Sequence, residues 1–150
     1  MVSNGGSALL RLVRRTKPAL RLLPGLIRLV RGDGLAGVRL ALWTVRARRR
    51  VRRQLVQGGI PAVRLPGPPP GADPDVMNRV LRRDGASCLE AALVRQRWYA
   101  ACRTSRTIVI GVTAPSGGFH AHAWLDGDTD AEQEGMLELL RHPVPEAWLS

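Results

Sequence analysis

Gly85-Ala86-Ser87-Cys88-Leu89-Glu90 is the stretch on which the reading of this chain turns. A turn of small residues runs straight into a helical pattern. Ser87 suits the N-cap and Glu90 falls three residues later, so the two form a capping box, each side chain bonding the other's backbone N–H. The spacing predicts a helix over 88–102 with Cys88 at its first position and Leu89, Ala92, Leu93 and Val94 turned toward the core. A helix N-terminus offers free N–H groups and about half a positive charge. Both favour a thiolate, the form in which cysteine is a nucleophile. The competing reading is a buried, inert core cysteine.

The next signal lies about thirty residues on. Arg106–Ala114 is β-branched through most of its length and predicts a strand. Pro115-Ser116-Gly117-Gly118 predicts a turn, and Phe119–Leu125 a second, antiparallel strand. Alternation puts His120, His122 and Trp124 on one face and Ala121, Ala123 and Leu125 on the other. The small alanines predict that their face packs on the Cys88 helix. A histidine serving Cys88 as base and acid must also reach the thiol, and alternation alone does not reconcile the two demands.

Two other uses of the histidines stand beside this one. His-x-His on a strand can bind a metal, with Cys88 as a third ligand; a catalytic zinc takes three protein ligands and a structural one four. Both histidines can also be structural. A catalytic histidine needs an orienting acid. Asp126, Asp128, Asp130, Glu132 and Glu134 all follow within twelve residues of His122. Glu134–Leu140 reads equally as a third strand or a helical turn, and Trp148 lies near the end.

Charge divides the chain. Residues 1–60 hold fourteen Lys/Arg against one acid, Asp33; residues 61–150 hold nine against eleven, and the total is +11. The basic character therefore belongs to the first part and not to the candidate chemistry. Residues 8–31 and 35–56 each interleave arginine with apolar residues and predict amphipathic helices, with a turn at Gly32-Asp33-Gly34. The plain reading is helices packed on the domain with a solvated arginine face. The sharper one is a docking surface for an acidic partner or an anionic membrane. Nucleic acid is disfavoured: there is no zinc-finger spacing and no aromatic stacking platform, with one Phe and one Tyr in 150 residues.

Residues 57–75, with Pro66-Gly67-Pro68-Pro69-Pro70, favour extended backbone and predict a linker. Cys88 and Cys102 would stand about 21 Å apart on one helix at ~1.5 Å per residue, too far for a disulfide. Free thiols, no signal-peptide pattern and no apolar run of membrane length point to a cytoplasmic protein.

Gly85-x-x-Cys88-Leu89, the helix ending with Trp98-Tyr99, Val109-Ile110-Gly111-Val112 and Phe119-x-Ala121-His122-Ala123-Trp124-Leu125 together resemble the B2 proteins of lasso-peptide biosynthesis. These are the stand-alone form of the microcin J25-processing leader peptidase, transglutaminase-like cysteine proteases. The resemblance covers residues 76–145. It implies Cys88 as nucleophile and His122, not His120, as base. The third member is an acid after the histidine strand: Asp130, with Asp128 and Glu134 as alternatives. It implies no cofactor and no metal.

The resemblance further implies removal of the leader from a ribosomally made precursor peptide. A separate ATP-dependent lasso cyclase then closes the macrolactam, and a leader-recognition protein acts in trans. The expected fold is α+β: a transglutaminase-like, papain-like core over 76–150, its Cys-bearing helix packed on a small antiparallel sheet. A linker over 57–75 and a basic helical region over 1–56 precede it. The alternative function is a non-enzymatic interaction module whose basic arm binds a partner or a membrane surface.

Overall fold

The computed structural model describes residues 23–71, 73–113, 118–129 and 133–149, with side chains from residue 34 onward. The first element, α1 (Leu23–Gly58), is bent at Gly34, whose φ of 62° and ψ of −162° are not helical. The bend falls at the expected glycine turn. The part of the predicted helix before residue 23 lies outside the described residues. Beyond the bend, Leu40, Trp43, Ala47 and Val51 are buried. Their spacing of three and four keeps them on one helix face. Arg39, Arg46, Arg49, Arg50, Arg52 and Arg53 are exposed.

Gly59, at φ 67°, ends α1 and leads into a 3-10 turn, Ile60–Ala62. The Pro/Gly-rich stretch then crosses the core as a strap. Val63 and Leu65 are buried in it. Trp43 Nε1 donates to Pro66 O at 3.3 Å, and Arg97 Nε donates to Leu65 O at 3.3 Å.

Helix α2 (Pro74–Arg83) begins where Asp73 caps it and Pro74 occupies the first turn. Val76, Met77 and Leu81 are its buried face. Helix α3 (Cys88–Ala101) follows with both halves of the capping box formed. Glu90 N donates to Ser87 Oγ at 3.2 Å, and Ser87 N donates to Glu90 Oε2 at 3.1 Å. Ala92, Leu93 and Val94 are buried and Leu89 half-buried.

Three strands complete the fold: β1 (Ile108–Val112), β2 (Ala121–Leu125) and β3 (Leu137–His142). The sheet order is β2-β1-β3, with both pairings antiparallel. The undecided segment near 134–140 is thus a strand. It pairs with β1 through an irregularity between Ile110 and Gly111. One buried amide ties helix to sheet: Gln96 Nε2 donates to Arg106 O at 2.9 Å and to His142 O at 3.1 Å. A 3-10 turn, Glu146–Trp148, closes the core with the buried Trp148.

Candidate active site

Cys88 and His122 open onto the same cavity, about 450 Å³ in volume. Helix α3 contributes Cys88, Ala91 and Arg95 to its wall, and β2 contributes His122, Ala123 and Trp124. Arg106, Gly127, Asp128, Thr129 and Gln133 complete it.

The capping box explains where the thiol sits. It fixes Cys88 at N1, half-buried, on the first turn of α3. At that turn Glu90 N is taken by Ser87 Oγ and Ala91 N by Ser87 O. The N–H groups of Cys88 and Leu89 have no hydrogen-bond acceptor among the described residues. Two donors therefore flank the thiol, as a helix start provides.

The strand places His122. In register it lies opposite Gly111 of β1. Its ring stacks on Trp124, centroids 5.9 Å apart and planes 16° apart. Gly111 makes that stack possible: a Cβ there would come within 2.7 Å of Trp124 Cη2. Ala123 and Leu125 of the predicted face are buried in the core against which α3 packs, whereas Ala121, at the strand start, is exposed. The conflict over the histidine face dissolves because β2 is an edge strand. Its cavity wall takes Ala123 from one face and His122 and Trp124 from the other.

His120 stands elsewhere. The strand begins at Ala121, so His120 precedes it, exposed and away from the cavity wall. Thr113 N donates to His120 O at 2.9 Å, and His120 N to Thr113 Oγ1 at 3.0 Å. His120 and His122 therefore do not share a strand face. Among the described residues no three His, Cys, Asp or Glu side chains converge as a metal site.

The three candidate acids part company. Asp130 lies outside the described residues. Glu134 is exposed and off the cavity wall. Asp128 is on the wall, but both its oxygens meet arginines: Arg95 Nη2 at 2.8 Å from Oδ2 and Arg106 Nη1 at 3.4 Å from Oδ1. Arg106 is held in turn by Asp126 O at 3.0 Å and by the Tyr99 ring, 4.6 Å from its centroid. Arg95 Nε and Gln133 Nε2 are buried donors without a partner among the described residues. Arg95 and Arg106 carry no signal of their own in the sequence. Each gains its place from a long-range contact that leaves no local pattern.

No described helix is long and apolar enough to cross a membrane. Searches of curated proteins and of solved structures find no significant match. A family model described as the transglutaminase-like superfamily matches residues 19–136. The match takes in the helical arm, the strap, α2, α3 with Cys88 and β2 with His122. By that match, and with an α+β fold to go with it, the chain belongs to the transglutaminase-like superfamily, which includes cysteine peptidases.

Proposed function

We propose that this chain is a cysteine-type leader peptidase of lasso-peptide biosynthesis, cutting a ribosomally made precursor peptide before a separate cyclase closes the macrolactam. The observation that carries the reading is the shared cavity: a thiol on a capped helix start and an imidazole on a neighbouring edge strand.

In this reading the Cys88 thiolate attacks the scissile carbonyl carbon. The oxyanion so formed is held by the N–H groups of Cys88 and Leu89, which have no other partner among the described residues. His122 protonates the leaving amine, which departs as the free N-terminus of the core peptide. A thioester to the leader remains. Water, deprotonated by His122, attacks it, releases the leader carboxylate and restores the thiol. Trp124 holds the plane of the imidazole by stacking. Asp128 anchors Arg95 and Arg106 at the wall, and the acid assigned to orient His122 in this reading is Asp130, outside the described residues.

No cofactor or metal enters. The precursor is delivered by a leader-recognition protein in trans. The exposed arginines of α1 give that protein, or the cyclase, an electrostatic landing face. The two free thiols suit a cytoplasmic setting.

The test is cleavage of a precursor by the full chain with its recognition partner, followed by mass spectrometry. Cys88→Ala is expected to abolish leader release and His122→Ala to reduce it by at least about a hundredfold. Undiminished cleavage by Cys88→Ala would overturn the reading.

A further inference from the structure

The arginine run of α1 reads as a solvated face, and one member departs from it. Arg48 keeps only 11% of its side-chain surface exposed. Its guanidinium reaches three groups on the turn before α3. Nε donates to Glu90 Oε2 at 3.1 Å, Nη1 donates to Asp84 Oδ2 at 2.5 Å, and Nη2 donates to Gly85 O at 3.1 Å. These partners bracket Ser87 and Cys88 in sequence. A planar fork reaches these three acceptors from three separate nitrogens; an ammonium carries its three donors on one nitrogen and cannot span the same set.

The charge at this turn sets a problem that Arg48 answers. Glu90 caps the helix through the Ser87 N–H, yet its carboxylate and that of Asp84 sit beside the helix start. Negative charge there favours the helix but opposes a thiolate on Cys88. Arg48 lies against both carboxylates. Arg52 adds little: it is 71% exposed and 3.9 Å from Glu90 Oε1. On its cavity side Cys88 shares the wall with His122, Arg95, Arg106 and Asp128, none of which is a hydrogen-bond or ion-pair partner of Arg48 among the described residues.

We propose that Arg48 is a positioning residue for Cys88: it fixes the turn that carries the thiol and offsets one of the two carboxylate charges beside it, so that the helix start can favour a thiolate. The basic arm is then a working part of the site as well as a surface. The proposal rests on the reading of Cys88 as nucleophile.

The test uses iodoacetamide on the full chain at pH 7, with the two cysteines quantified separately by peptide mapping. Cys102, exposed just beyond the other end of α3, is the internal reference. In the parent chain Cys88 should alkylate faster than Cys102 despite being less exposed. Arg48→Met should lower the Cys88-to-Cys102 ratio about threefold to tenfold, as one uncompensated charge at this range implies. Adding Asp84→Asn and Glu90→Gln should restore it, since Gln preserves the capping box. Circular dichroism confirms that each variant is folded. If Arg48→Met does not fold, Arg48→Lys carries the test, with a smaller fall expected because the charge stays and the fork is lost. A pair that only stabilises the fold would lower the melting temperature and leave the ratio alone. An unchanged ratio in a folded Arg48 variant, or no recovery in the triple variant, overturns the proposal. A parent ratio at or below one instead overturns the nucleophile reading.

Discussion

Gly111 has no side chain because the Trp124 ring needs the space. A methyl there would sit 2.7 Å from Cη2 and 3.1 Å from Cζ3 of that ring. The ring is what His122 stacks on. Gly111→Ala should therefore displace Trp124 and tilt the imidazole away from Cys88. Overpacking of this kind costs about 1–3 kcal/mol, which the domain should survive. A displacement near 1 Å at a reacting group costs about a hundredfold in rate. The expected result is a cooperatively folded variant whose single-turnover cleavage falls by about tenfold to a hundredfold. Trp124→Leu added to Gly111→Ala should recover stability but not rate, because the stacking partner is gone. A variant as fast as the parent would show that the stack does not orient His122.

At the scale of elements, what the sequence disclosed follows how local each cause is. The capping box is a contact between residues three apart, so α3 and the place of Cys88 were legible. The bend at Gly34 came from glycine, which acts on its own backbone. β3 was not legible. Leu137, Leu139 and Leu140 are all exposed, so no alternation marks a strand, and only pairing with β1 makes it one. Gln96 and Arg48 look like ordinary helix-surface residues and are not, because their partners lie on other elements.

The end of β3 also carries a pH dependence. Burial pushes the His142 pKa below the ordinary histidine value of 6.5. The folded chain then binds that proton less readily than the unfolded chain does. Stability therefore rises with pH across this window. The contribution of neutral His142 is complete above 6.5 and is lost as pH falls through the lower, folded value. Urea midpoints at pH 5 and 7.5 should show a larger acid-side loss in the parent than in His142→Gln. Equal losses would mean that His142 titrates as it does in the unfolded chain.

For the whole molecule, the question is whether residues 76–150 form a unit without the arm. Composition draws a boundary at 57–75, where charge changes sign and prolines accumulate. Packing runs across it. Leu40, Trp43, Ala47 and Val51 share one core cluster with Val76, Met77, Leu81, Leu93 and Leu125, and the strap adds Val63 and Leu65. Removing residues 1–75 would uncover the buried face of α2 and leave Glu90 without Arg48. Each large apolar side chain taken from that core forfeits about 1.5–3 kcal/mol. A buried carboxylate stripped of its partner costs about 3–5 kcal/mol more. Together these are about as large as the ~5–15 kcal/mol by which a domain of this kind is stable. A chain of residues 76–150 should thus show no cooperative transition in heat or urea, whereas the full chain should show a single one. The family match points the same way, since it begins at residue 19 and runs unbroken through arm, strap and site. A truncated chain that melts cooperatively would make the arm a separate unit, and Arg48 a contact between units.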